Sequence, residues 1–70
     1  MKRISIKEVE KILEEKGNLI KVDLRFADLH GADLRNAELN LTDLRFADLR
    51  GTMLPETKTV GANFLFSVRD

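Results

Sequence analysis

Seventy residues bound the chain to one small domain with a marginal core, and twelve basic residues balance twelve acidic ones. That balance excludes the cationic excess that steers a protein to nucleic acid, and the lack of cysteine excludes a disulfide frame or a thiolate metal site. No apolar run is long enough for a membrane span or a signal h-region, so the composition reads as a soluble, cytoplasmic protein.

Residues 1–16 form the first predicted element, an N-terminal capping helix. In "ISIKEVEKILEEKG", Ser5 is followed three residues later by Glu8, the spacing of a reciprocal capping box. Ile4 before the cap and Val9 after it are placed to form a hydrophobic staple. Ile6, Val9, Ile12 and Leu13 share one helical face, and Gly17 stands where the helix should stop. That apolar face must cover something.

From Gly17 to Phe66 the chain divides into fives: GNLIK, VDLRF, ADLHG, ADLRN, AELNL, TDLRF, ADLRG, TMLPE, TKTVG, ANFLF. The third position is leucine eight times running, at Leu19, Leu24, Leu29, Leu34, Leu39, Leu44, Leu49 and Leu54. The first position is small or β-branched, and the second, fourth and fifth carry nearly all the charge. A straight helix scatters these leucines, because five steps leave successive ones roughly 140° apart. A straight strand alternates them between faces, because five is odd. A chain that turns a corner every five residues aims them all at one axis. With corners of about 90° four pentads close a coil, and the coil length is twenty.

Two features support four sides. Pro55 falls at a fourth position, suited to the first central residue of a turn, while Gly31, Gly51, Gly61 and Asn36 fall at fifth positions, where a type II turn needs positive φ. "DLRFADLHG" at 23–31 also returns as "DLRFADLRG" at 43–51, and Phe26, Phe46 and Phe66 lie one coil apart. Those rings should stack about 4.8 Å from one another. With its eight leucine pentads the sequence resembles the pentapeptide-repeat family, whose consensus is roughly Ala-(Asp/Asn)-Leu-X-X; the match is close over 17–54 and loose over 55–66. The resemblance implies an all-β solenoid, a right-handed quadrilateral parallel β-helix of about 2.5 coils, here with its capping α-helix. The expected organisation is a helix over 1–16, repeats over 17–66 and a tail over 67–70. Thr59 and Arg69 break the central row, so the last coil should be irregular.

Solenoids need covered ends. No second helix follows the repeats, and "ANFLFSVRD" places Phe64, Leu65 and Phe66 on the half-finished last coil. These residues are the predicted end of an isologous dimer; a folded-back tail on a monomer is the alternative.

No catalytic, cofactor-binding or metal-binding constellation emerges. His30 is the only histidine and lies at an outward fourth position, one coil below Arg50, with no second ligand in reach. The glycines are spaced as corners, not as a phosphate-cradling loop. Asp23/Asp43 and Asp28/Asp48 should stack in rows, with Asp33 and Glu38 on the other two sides. Carboxylate rows can imitate a phosphate backbone, and some acidic members of the resembling family bind topoisomerases as DNA mimics. Here, however, residues 17–66 hold six basic residues against seven acidic ones, and Arg25, Arg35, Arg45 and Arg50 lie beside the acids. Exposed Asp–Arg pairs are the simpler reading.

The ladder of Phe26, Phe46 and Phe66, flanked by Arg25 and Arg45, is the better binding candidate, since soluble monomers seldom leave such a stripe bare. It points to contact with a protein partner or a second copy; stacking of single-stranded bases is a weaker reading. The sequence therefore predicts a non-catalytic structural or protein-interaction module without cofactor, membrane contact or small-molecule substrate. Inhibition or protection of a DNA-processing enzyme by mimicry is the runner-up.

Overall fold

A computed structural model describes residues 3–55 and 58–69; Met1, Lys2, Glu56, Thr57 and Asp70 lie outside the described residues, with the expectations that fall on them. Helix α1 spans Ile6–Lys16. Ser5 is its N-cap in an extended conformation, but its hydroxyl makes no capping hydrogen bond, and no reciprocal bond from Glu8 forms among the described residues. The capping box is thus corrected. The approach of the chain is fixed instead by the residues before Ser5. The Ile4 carbonyl accepts the Asp28 N–H at 2.9 Å, and the Arg3 guanidinium donates to the carbonyls of Phe26 and Ala27. With the chain held there, the Ser5 side chain faces solvent. Glu8 still places an acid in the first turn, where the helix dipole favours it. At the other end Gly17 has φ 76°, and its N–H reaches the Leu13 carbonyl at 2.7 Å.

After Gly17 the backbone turns every five residues. The first-position N–H donates to the carbonyl three residues back, as from Val22 to Leu19, Ala27 to Leu24 and Thr42 to Leu39. Three further bonds join each side to the one a coil above. The Leu24 N–H donates to Asp43, the Phe26 N–H to Arg45, and the Asp43 N–H back to Val22, at 2.8, 3.0 and 3.1 Å. Asp23, Asp28 and Asp33 form parallel bridges to Asp43, Asp48 and Met53, and Asp43 and Asp48 form them to Asn63 and Val68. Every pair is twenty residues apart, as four five-residue sides require. The bridges are isolated, and no longer strand forms among the described residues. Each side holds its extended geometry for only a residue or two before the next corner.

The corners depend on left-handed backbone at the fifth position. Gly31, Gly51 and Gly61 have positive φ, but so do Lys21, Phe26, Leu41, Phe46 and Phe66, each near 62°. Side chains there carry a strain that glycine avoids. Asn36 is the exception. It is absent from the left-handed set although the Ala37 N–H still closes its turn on Leu34, so that corner uses the ordinary sign of φ.

Inside the coil Leu19, Leu24, Leu29, Leu39 and Leu44 are fully buried, with Leu34 and Leu49 nearly so. Leu54 is half-buried, because nothing described lies above it on its side. Ala27, Ala32, Ala37, Ala47 and Thr42 fill the first-position rows, and the Thr42 hydroxyl donates to the Leu19 carbonyl at 2.6 Å. Val9 is the buried residue of α1, and Ile4, Ile6, Ile12 and Leu13 pack against the same core. The helix therefore covers the lower end of the leucine column, as its apolar face requires.

Candidate interaction site

The second-position acids are occupied by the corners they precede. Asp43 Oδ1 accepts the backbone N–H of Arg45 and its Nε, while Oδ2 accepts Nη2 at 2.6 Å. Asp23 with Arg25, Asp33 with Arg35 and Asp48 with Arg50 repeat this arrangement. Asn18 and Asn63 perform the backbone half alone, each accepting the N–H two residues on at 3.0 Å. Hydrogen bonding from the arginine holds the carboxyls of Asp23 and Asp48 down to about 2, and those of Asp33 and Asp43 below the usual range. Arg25 also lies 3.8 Å from Asp43 on the coil above, linking two pairs on one side. His30 is exposed, and its N–H approaches Asp28 at 3.4 Å.

Phe26 and Phe46 stack with ring centres 4.9 Å apart and planes 4° from parallel; Phe46 and Phe66 follow at 5.2 Å and 22°. Exposure climbs from 37% at Phe26 through 45% at Phe46 to 66% at Phe66. Each ring presents an edge sideways, and both faces of Phe46 are taken by its neighbours. Stacking of bases needs a free ring face, and the middle ring of the stripe offers none.

Exposed apolar side chains lie on the last coil and also on the one below it, at Leu41 and Met53. Reading up the rows, Ile20 and Asn40 lead to Val60, Arg25 and Arg45 to Leu65, Asp28 and Asp48 to Val68, and Asp33 to Met53. Val60, Leu65, Val68 and Met53 are all exposed. The sequence expectation covered Leu65 and Phe66 but missed Val60, Val68 and Met53, which a column-by-column reading would have found. Phe64, the third member of the predicted dimer end, is half-buried and tops the Leu24/Leu44 column. Arg69 lies over its ring at 4.3 Å. The upper end thus has a partial cover from the tail, supplied by a residue that in the sequence is only a break in the leucine row.

Two shallow cavities, of about 260 and 250 Å³, run between α1 and the side at 31–37; both are bordered by Leu13 and Asp33. Neither gathers an acid, base and nucleophile. Among the described residues no group of three or more His, Asp or Glu is placed to hold a metal, and no helix is long and apolar enough to cross a membrane.

A coil of twenty-residue period with inward leucines and five-residue corners defines a repeat protein. The pentapeptide-repeat family matches residues 18–54 as eight copies, more than half of the chain, and the protein belongs to that family. Its members are generally non-enzymatic modules. No curated protein and no solved structure matches the chain.

Proposed function

We propose that the chain is a non-catalytic, cytoplasmic protein-interaction module built as a right-handed quadrilateral parallel β-helix. This all-β solenoid engages a protein partner, or a second copy, through the phenylalanine ladder and the last coil. The reading rests on the concentration of exposed apolar side chains there, with Phe66, Leu65 and Val60 at 66%, 57% and 73%. Exposed apolar stripes and ends of this kind serve as contact surfaces in repeat proteins. Mimicry of a nucleic acid toward a DNA-processing enzyme is less well supported, since Asp23, Asp33, Asp43 and Asp48 are each paired with the guanidinium of a neighbouring arginine. Affinity capture with the parent chain and with a Phe26→Ser/Phe46→Ser variant tests the ladder. A specific partner, or a sedimenting dimer, should be lost in the variant while its melting transition persists. Equal capture and equal sedimentation by both chains would remove the ladder from the function.

A further inference from the structure

The nine-residue copies at 23–31 and 43–51 differ only at His30 and Arg50, and the difference falls beside the phenylalanine ladder. Arg50 clamps Asp48 through Nε and Nη2, as Arg25, Arg35 and Arg45 clamp Asp23, Asp33 and Asp43. His30 gives Asp28 no such clamp. Only its backbone N–H approaches, at 3.4 Å, and the exposed Asp28 carboxylate pairs with no arginine among the described residues. Asp28 flanks the ladder on one side, two residues past Phe26, with the buried Ala27 between them. Arg25 flanks it on the other. Asp23 occupies its Nε and Nη2, whereas Nη1 makes no hydrogen bond among the described residues.

Across this corner the lowest rung carries Arg25, Phe26 and Asp28, the middle rung Arg45, Phe46 and Asp48, and the top rung Leu65, Phe66 and Val68. A twofold axis parallel to the coil axis sets one such corner against another and exchanges its two sides. Each ring then meets its own counterpart. At the bottom Arg25 of either copy meets Asp28 of the other, and at the top Leu65 meets Val68. A twofold axis across the ladder instead opposes Arg45 to Arg45 and lays Arg25 and Asp28 on the apolar top rung, where both charges lose water without gaining a partner. Charge complementarity therefore selects the parallel arrangement.

We propose that the ladder is the seam of a parallel, side-by-side homodimer in which Arg25 of each copy pairs with the exposed Asp28 of the other. The inference rests on the interaction-module reading and names a second copy as the occupant of the ladder. It differs from the end-to-end dimer that the sequence suggests at Phe64, Leu65 and Phe66. The middle rung adds ring contact more than charge, because Asp48 is already held by Arg50. A seam along one corner is small, so the dimer belongs to the weak, transient class of contacts.

Sedimentation equilibrium at concentrations up to about 1 mM tests this. The parent chain should show a monomer–dimer equilibrium that weakens with added salt. Asp28→Arg and Arg25→Glu should each weaken it about tenfold or more, because like charges then face each other across the seam. An equimolar mixture of the two variants should recover the dimer, since each supplies the sign the other lacks. His30→Arg makes the lower copy identical to the upper one; it should melt like the parent and associate more weakly, with Asp28 drawn into a clamp. Should Arg25→Glu fail to melt as the parent does, Asp28→Arg and His30→Arg decide. A parent chain that stays monomeric, or a dimer indifferent to Asp28→Arg, overturns the proposal. So does a mixture of two folded variants that associates no better than either alone. If the Phe26→Ser/Phe46→Ser variant loses a captured partner while the parent stays monomeric, the module reading stands and the homodimer falls.

Discussion

Asp48 shows why the second position of a pentad is so often aspartate. The turn that follows leaves the fourth-position N–H pointing outward, and the carboxylate folds back to accept it from Arg50 at 3.2 Å. Its oxygens then also receive Nε and Nη2 of the same arginine at 2.9 and 2.8 Å. One side chain closes a corner and neutralises the charge beside it. The pH dependence follows. Hydrogen bonding to arginine lowers the folded-state carboxyls of Asp23 and Asp48 from 3.8 to about 2. A depressed folded pKa contributes stability that is present above the unfolded value and lost as pH falls through the folded one. The melting temperature is therefore expected to change little from neutral pH down to about 5 and to fall across the interval from 3.8 to about 2. Because these pairs are exposed, the fall should be modest and smaller at high salt. A melting temperature constant down to pH 2, followed by circular dichroism, would show that the clamps do not couple to folding.

At the scale of elements, α1 illustrates what the sequence could and could not display. Its buried face and its stop at Gly17 follow from periodicity and a left-handed terminal glycine, both local properties, but the helix begins at Ile6 and not at the start of the expected span 1–16, because residues 3–5 are extended beside the coil. The rung made by Ile4 under Asp28 and the anchoring of Arg3 on Phe26 depend on where the first coil lies, which no local pattern encodes. Those contacts displace the capping box that Ser5 and Glu8 spell out. Ser5→Ala is accordingly expected to change stability by no more than about 0.5 kcal/mol, whereas a bonded cap would cost about 1 kcal/mol. Val9→Ala, at a site only 1% exposed, should cost about 2 kcal/mol. Chemical denaturation of the two variants checks the contrast, and a Ser5→Ala loss as large as that of Val9→Ala would restore the box. The corners show the same division. The five-residue spacing was legible because leucine and the small residues recur without interruption. The sign of φ was not, since Lys21 and Leu41 accept the left-handed region without a glycine's permission and Asn36 declines it. The exposed apolar surface was half legible: Phe26, Phe46 and Phe66 announce themselves by type, but Arg69 comes to cover Phe64 only when the end of the coil folds beneath it.

For the whole molecule, the extents of 24 × 24 × 19 Å describe a squat block with no long axis. In a stack this short the middle coil has one coil neighbour on either side, so each interface is a large share of the total. The last coil accepts five N–H groups from the one below, those of Leu39, Leu41, Leu44, Phe46 and Leu49, through the carbonyls of Lys58, Val60, Asn63, Leu65 and Val68. It also donates back from Asn63 and Val68. A chain ending at Leu54 loses all of these and uncovers the upper ends of Leu39, Leu44 and Leu49. It is expected to lose its sharp thermal transition and to bind a hydrophobic dye, while the full chain melts in one cooperative step. The surface proposed to meet a partner is then also the roof of the core. Occupying it should raise the melting temperature by mass action, because a ligand on that surface binds the folded coil and not the unfolded chain. A truncated chain that melted cooperatively at the parent temperature would mean that the last coil is an appendage. Binding there would then leave the temperature of the main transition unchanged.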